Sequence, residues 1–477
     1  MENSAARKTC CSILLLCEKI WSVSCFIFQE QRVMRKLNGP RNFLFFAGLF
    51  CACFQLSSNA AEEEVSTTTT NSVSTAPATT TTSAPATAPE SSATVAPAPV
   101  TSSTNQPLGA GTFSPPPIEI QLTVIGGYDD NINTAVNGHT SGSELTSGQV
   151  DLDYEFGNPR LQLKLVGSGG GTYYYQHIAN QNYDVDLHTN FVAKYKATPR
   201  LTLGGDFLVA YLTEPSFNYG VGTNYRNGNY FYTFDKLDAT YQWTERFSTL
   251  TRYTLDFINY DDSTIGVFDD RVENVFGNEF RFLLVPTTTF VAEYRYGIVN
   301  YIHLSIDSDT HYVLAGFDHT FNPRLTATVR GGAEFRSYNT GGERSSPYFE
   351  SNVAYAVGRR TSVTWTTRYG LEEPDIPGAQ SRTTFRTGLQ GKIKVAPRVT
   401  ASADVYYDHS DYNGFSLGGG TVLPFTQNTI DAGVGLRYTV TPYMGITAGY
   451  RYTDVSSDFS SFQYSRNHYF AGLNVVF

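Results

Sequence analysis

Tyr183-Asp184-Val185-Asp186-Leu187-His188-Thr189-Asn190-Phe191 decides how this chain folds. Its odd positions are mostly apolar and its even positions are all polar. Successive side chains of a strand point to opposite faces, so the stretch makes a sheet with one oily and one polar side. The same period runs through Val150-Asp151-Leu152-Asp153-Tyr154-Glu155-Phe156 and Leu325-Thr326-Ala327-Thr328-Val329-Arg330. A soluble sandwich alternates too, so the period alone does not choose between water and membrane.

Three further features choose. The segments run about 10–14 residues, longer than the usual soluble strand of about 5–6 and suited to a tilted bilayer crossing. Aromatic residues gather on the apolar face near strand ends: Tyr173, Tyr174 and Tyr175; Tyr230, Phe231 and Tyr232; Tyr241 and Trp243; Tyr294 and Tyr296; Tyr406 and Tyr407; Tyr450 and Tyr452. Tyr and Trp favour the membrane–water interface. Finally, short turns alternate with longer loops. The turns read Asn158-Pro159-Arg160, Thr198-Pro199-Arg200, Asn322-Pro323-Arg324, Ala396-Pro397-Arg398 and Thr441-Pro442-Tyr443, with relatives at Thr244-Glu245-Arg246, Pro286-Thr287-Thr288 and Gly358-Arg359-Arg360. Proline presets φ for a turn and is excluded from central strands.

Eight short turns imply nine hairpins, hence an all-β, antiparallel up-and-down barrel of about 18 strands over 117–477. Strands are expected to begin near residues 118, 148, 161, 183, 201, 230, 247, 272, 289, 311, 325, 348, 361, 382, 399, 428, 444 and 467. Sixteen is the competing count, because 289–320 and 348–357 alternate weakly. An even number returns both ends to one side, expected to be the periplasm of a bacterial outer membrane. The longer loops, among them 129–147, 213–229, 261–271, 373–380, 411–426 and 454–465, would face the exterior.

Composition agrees. The 477 residues include 32 Tyr, 32 Phe and 41 Gly, and only 16% are charged. The net charge of −10 lacks the basic balance of a nucleic-acid binder. All six cysteines, Cys10, Cys11, Cys17, Cys25, Cys51 and Cys53, precede the strands, which suits passage through an oxidising compartment.

Residues 34–60 read as a signal peptide. Met34, Arg35, Lys36 and Arg41 form a basic start, Asn42 to Phe54 an apolar core, and Ser58-Asn59-Ala60 a small-residue cleavage site. Residues 1–33 are then an extension upstream of the native start, or else an unusually long basic region. Residues 61–116, nearly all Thr, Ser, Ala and Pro after an acidic start, are expected to form a disordered periplasmic linker or a tether to the cell wall or a partner.

The final segment, His468-Tyr469-Phe470-Ala471-Gly472-Leu473-Asn474-Val475-Val476-Phe477, resembles the closing strand of bacterial outer-membrane barrels. That resemblance implies an assembly signal on Tyr469, Leu473, Val475 and Phe477, read by the barrel-assembly machinery. Gly126-Gly127-Tyr128-Asp129-Asp130-Asn131-Ile132, the Asn/Thr-Pro-Arg turns and Ala315-Gly316-Phe317-Asp318-His319-Thr320-Phe321 resemble the family called Putative beta-barrel porin 2. The resemblance implies a porin-like barrel among outer-membrane lipid and lipopolysaccharide. It also leaves room for an accessory role in exopolysaccharide export, with a polysaccharide as partner.

The polar face carries the candidate chemistry. Early strands point acids inward: Glu119, Asp151, Asp153, Glu155, Asp184, Asp186 and Asp206. Late strands point bases inward: Arg330, Arg336, Arg368, Arg382, Arg386, Lys392, Arg437 and Arg451. These either form opposed walls that polarise a lumen or pair between neighbouring strands, as Glu334 would with Arg330 or Arg336. Acidic doublets at Asp129-Asp130, Asp261-Asp262 and Asp269-Asp270 match no calcium-loop spacing and read as solvated loop acids. Asp318-His319 and Asp408-His409-Ser410 are the only clusters suggestive of catalysis, and adjacent strand residues face opposite ways. No catalytic residue, metal site or cofactor is expected. The leading functional expectation is a passive channel for small hydrophilic solutes or ions, possible as a homo-oligomer. The alternative is a structural or export-associated barrel without general channel activity.

Removing Phe477 should lower the yield of inserted barrel while leaving the pore wall unchanged. Heat-modifiable gel mobility and single-channel conductance of the inserted fraction check this, and an undiminished yield would contradict the assembly-signal reading.

Overall fold

The computed structural model describes residues 118–477 except 137, 179–180, 216–223, 226–227, 358–359, 377–378, 380 and 417–421. The expected upstream extension, signal peptide and linker lie outside these residues, as does the Gly358-Arg359 part of one turn.

Eighteen strands follow in order: β1 Glu119–Asp129, β2 Ser143–Gly157, β3 Leu161–Ile178, β4 Gln181–Lys196, β5 Leu201–Thr213, β6 Asn229–Gln242, β7 Phe247–Tyr260, β8 Arg271–Val285 and β9 Thr288–Tyr301. The second half continues with β10 Ser308–Asn322, β11 Leu325–Tyr338, β12 Glu343–Val357, β13 Thr361–Glu372, β14 Ser381–Ala396, β15 Val399–Ser416, β16 Val422–Thr441, β17 Met444–Ser457 and β18 Tyr464–Val476. Each pairs antiparallel with its sequence neighbours, and β1 pairs with β18, so a single 18-stranded sheet closes on itself. The seam runs from Gln121 opposite Val476 to Asp129 opposite His468. Phe477 extends it by two hydrogen bonds with Ile120: its N–H donates to the Ile120 carbonyl at 2.8 Å, and its carbonyl accepts from the Ile120 N–H at 3.5 Å. The count of 18 replaces the competing 16. Residues 289–320 form β9 and β10, whose lipid-facing alternation is blurred by small and polar residues such as Ala292 and His311.

The short turns owe their repeat to one local device. In four of the five proline turns the residue before proline is Asn or Thr, whose side-chain oxygen caps the turn, and only Ala396 lacks such a cap. Asn158 Oδ1 accepts from the N–H groups of Arg160 and Leu161, both at 2.9 Å. Thr198 Oγ1 does the same for Arg200 at 3.2 Å and Leu201 at 3.0 Å. Thr244 repeats the pattern without a proline. Such Asx and Ser/Thr turns fix the chain reversal locally. Gly157, ahead of the first of them, has φ +136°, and a Cβ there would sit 2.0 Å from the Leu161 carbonyl oxygen.

At the other end of the barrel the sheet reaches further than its alternation shows. β2, β10, β12, β16 and β18 begin three to six residues before their expected starts, at Ser143, Ser308, Glu343, Val422 and Tyr464. Ser308–Thr310 and Glu343–Ser346 are wholly polar, Val422–Phe425 is wholly apolar, and Leu145 and Tyr464 put apolar groups on the inner face, so no lipid-out, polar-in pattern marks the pairing. The expected loop 411–426 contracts accordingly, since β15 runs to Ser416 and β16 starts at Val422. One helix was not expected: α1, Ser263–Asp269, N-capped by Asp262, whose side chain accepts from the Thr264 N–H at 2.8 Å.

The outer face is mostly apolar: Leu122, Val124, Leu187, Phe280, Trp365, Val434 and Leu473 are all exposed. The aromatic assignments need one correction. Tyr173, Tyr175 and Tyr294 stand on this face, but Tyr174, Tyr230 and Tyr232 are buried on the inner one. Tyr406 also points inward, over Gly388, where a Cβ would meet its ring at 2.6 Å. Consecutive strand residues cannot share a face, so each aromatic run divides between lipid and lumen.

Leu187, 47% exposed on the outer face, should lose about 2–4 kcal/mol of stability on change to Arg. Asp186→Asn should cost much less, because Asn keeps an oxygen to accept from the Thr213 N–H. Denaturant titration in lipid vesicles separates the two, and equal losses would refute the facing.

Candidate functional site: the charged lumen

Every strand contributes alternate side chains to the interior, and their chemistry differs around the ring. On β2 and β3, Lys164 bridges Glu155 at 2.7 Å and Asp153 at 3.3 Å. Asp151 accepts from Gln149 at 2.6 Å and Gln121 at 3.3 Å. Asp184 accepts from the Tyr174 hydroxyl at 3.0 Å, and Asp206 lies across the β5–β6 ladder from Lys236. Glu119 lies across from Asp153. Glu155 is the most open of these, its side chain 68% exposed.

The late-strand arginines are held differently. Arg330 is 1% exposed and bonds Asp318 at 2.8 Å, with Glu279 and Glu293 each at 3.8 Å. Arg281 reaches the same Asp318 and Glu279. Arg295 joins Glu293 at 2.5 Å to Glu350 at 2.6 Å. Arg336 pairs with Glu373 at 2.6 Å. Glu372 is a hub, contacted by Arg382 at 3.2 Å and by Arg368 and Arg386 at 3.4 Å. Arg382 also bonds Asp375, and Arg386 bonds Asp408, both at 2.8 Å. Arg451 joins Asp404 and Asp431. Lys392, Lys394 and Arg437 point inward near the short-turn end and form no ion pair among the described residues.

Ion pairing between strands therefore dominates the late arc, though not through the pairs the sequence suggested. Glu334 accepts from the Leu371 backbone N–H, while Arg330 and Arg336 take Asp318 and Glu373. The acids Glu279, Glu293, Asp318, Glu350, Glu372 and Glu373 were missed, and so were Arg281 and Arg295. A signal existed: Glu279-Phe280-Arg281 and Glu293-Tyr294-Arg295 put opposite charges two residues apart, hence on one face. Removing charges this buried from water is costly, and only near-complete pairing offsets it.

The long loops fold over their end of the barrel. The hydroxyl of Tyr225, between β5 and β6, lies 2.8 Å from the Phe462 carbonyl oxygen and 2.9 Å from Gln427 Oε1 of β16, sharing its one proton between them. The Tyr464 hydroxyl donates to the Asn224 carbonyl at 2.5 Å. Ile376 and Ala379, between β13 and β14, are buried with Tyr412 and Phe425, and Phe459 and Phe462 pack on them. Asp375 accepts from the Tyr412 hydroxyl at 2.5 Å.

The acidic doublets prove structural. Asp129 pairs with Arg466 at 2.6 Å, and Asp130 accepts from Asn467. Asp261 accepts from Tyr211 and Asp262 caps α1. Asp270 accepts from the Tyr260 N–H at 2.7 Å. Burial, with the Asp375 carboxylate adding to it, pushes Asp269 up to about 7 against the pull of Arg271. No cluster of His, Cys, Asp and Glu among the described residues is arranged to hold a metal ion. Asp318 faces the lumen while His319 faces outward, bonded to Thr288 at 2.7 Å. Asp408 and Ser410 share a face at 2.8 Å, but Asp408 is engaged by Arg386.

The fold resembles solved outer-membrane proteins. OccK2 (OpdF) of Pseudomonas aeruginosa, crystallised with glucuronate, is 10% identical with a TM-score of 0.41, over 75% of this chain and 98% of its own. OccAB3 of Acinetobacter baumannii is 9% identical with a TM-score of 0.40, over 76% and 99%. The siderophore receptor PirA of Acinetobacter baumannii is 8% identical with a TM-score of 0.37, over 75% and 80%. No curated protein matches the sequence. Residues 110–477 match one family profile across the whole barrel, and the chain belongs to that family, Putative beta-barrel porin 2.

Proposed function

We propose that this barrel is a passive channel for small hydrophilic solutes or ions, filtered by wall charge and lumen width. The supporting observation is the inner face: ionisable side chains project from nearly every strand of a closed ring. An 18-strand ring has room for an aqueous channel. The short-turn end, where both barrel termini lie, is assigned to the periplasm. The unequal charge of the wall persists despite the pairing. Glu119, Asp151, Asp153, Glu155, Asp184, Asp186, Asp206 and Asp238 outnumber Lys164, Lys194, Lys196 and Lys236 on β1–β6, whereas Lys392, Lys394 and Arg437 stand without acids on the opposite arc. A solute crossing the lumen therefore meets a transverse field.

A second reading, a structural or export-associated barrel, is favoured by the loop cover. Tyr225 reaches across the lumen mouth to Gln427 and the Phe462 carbonyl, and Ile376 packs in the apolar cluster beside Phe462. In that case the fold serves an envelope assembly rather than diffusion, and a polysaccharide would be its partner.

Planar-bilayer recording distinguishes them. Stepwise currents are expected from the unaltered barrel, and a silent, heat-modifiable barrel would overturn the channel reading. Reversing Lys392, Lys394 and Arg437 to Glu should move the reversal potential towards cations. These three are chosen because they break no ion pair, and an unmoved potential would sink the polarised lumen. Tyr225→Ala should raise unitary conductance, since it releases the bonds to Gln427 and Phe462.

A further inference from the structure

The outer face of β6 reads Phe231, Thr233, Asp235, Leu237, Ala239 and Tyr241. Asp235 sits opposite Phe207 of β5 and Leu255 of β7, while its chain neighbours Phe234 and Lys236 line the interior cavity. Its carboxylate therefore faces the membrane, midway between the rings of Phe231 and Tyr241. The other outward-facing strand carboxylates among the described residues, Glu144, Asp309, Glu343, Asp411 and Asp454, lie towards long-loop ends. Asp235 alone is placed at depth, where lipid offers no hydrogen-bond donor and an ionised group is costly.

Two strands away, Asn274 and Asn278 also face outward, aligned with Leu255 and Thr251 of β7. Their oxygens are engaged: Tyr253 donates to Asn274 Oδ1 at 2.7 Å and Thr251 to Asn278 Oδ1 at 2.9 Å. Their Nδ2 groups have no acceptor among the described residues, and the Asp235 carboxylate has no donor there. One patch thus carries an unmet acceptor on β6 and unmet donors on β8, with β7 between them.

We propose that this β6–β8 face is the contact between two copies of this chain. What Asp235 lacks is what the same face offers. A two-fold axis along the membrane normal keeps every residue at its own depth, and it makes the contact isologous. With β7 beside that axis, Asp235 of each copy meets the Asn274 and Asn278 amides of the other. Every unmet group is then satisfied away from water. The contact does not depend on whether the lumen conducts.

Cross-linking in native membranes and mass measurement in mild detergent test this. The unaltered barrel should have the mass of two copies, and Asp235→Leu the mass of one with heat-modifiable mobility retained. Leu255→Cys, near the axis, should give a doubled band with a short bismaleimide. Val434→Cys, on the distant lipid face of β16, should not, with the unaltered chain and its early cysteines as the baseline. A single-copy mass for the unaltered barrel would overturn the proposal. So would a Leu255→Cys band that stays single, or one that joins a protein of another mass. If Asp235→Leu fails to fold, the two cysteine variants decide alone.

Discussion

Backbone hydrogen bonding in a medium without water is the constraint on which this molecule rests. An unpaired N–H or C=O in hydrocarbon costs several kcal/mol, so a sheet can cross a bilayer only if it has no edge. The β1–β18 seam removes the edge, and with it the choice of strand number, tilt and curvature ceases to be local. Once the ring closes, the two faces of every strand acquire fixed meanings. The outward positions must be apolar, and the inward ones must accommodate whatever polar groups remain.

That accommodation explains the lumen. Arginines on β11, β13 and β14 and acids on β8, β9, β12 and β13 are separated in sequence but neighbours on the inner wall. Their pairing is a product of curvature, which turns side chains from several strands towards one another. Glu372 shows the result, since three guanidiniums converge on one carboxylate. Losses from such a shared group do not add, and removing it leaves Arg382 and Arg386 with only Asp375 and Asp408 and takes an ion-pair partner from the buried Arg368.

How much the sequence discloses follows from the same geometry. The strands that leave a short turn begin within a residue of where the sequence puts them, at Leu161, Leu201, Phe247, Leu325, Thr361, Val399 and Met444 among others. There Asn, Thr and Pro act within three or four residues, and local chemistry is readable. The opposite ends are not, because an arm of uniform polarity, polar at Glu343–Ser346 and apolar at Val422–Phe425, has no period to detect. Alternation places Arg330, Arg336, Arg368, Arg382, Arg386 and Arg451 on the inner face, but not their partners. Alternation assigns a face and is silent on which strand of eighteen the facing group meets. The inward position of Tyr230 and Tyr232 was hidden by composition, since tyrosine suits an interface and a packed interior alike.

The bond from Tyr225 to Gln427 has a mechanical side. A thin-walled tube yields most easily by flattening into an oval, a motion that leaves every ladder bond nearly intact. A brace joining β5–β6 to β16 spans the ring at one rim and resists that motion there, while the other rim, bounded only by tight turns, has no such tie among the described residues. The two rims should therefore differ in stiffness, with shape fluctuations of the wall concentrated at the short-turn end.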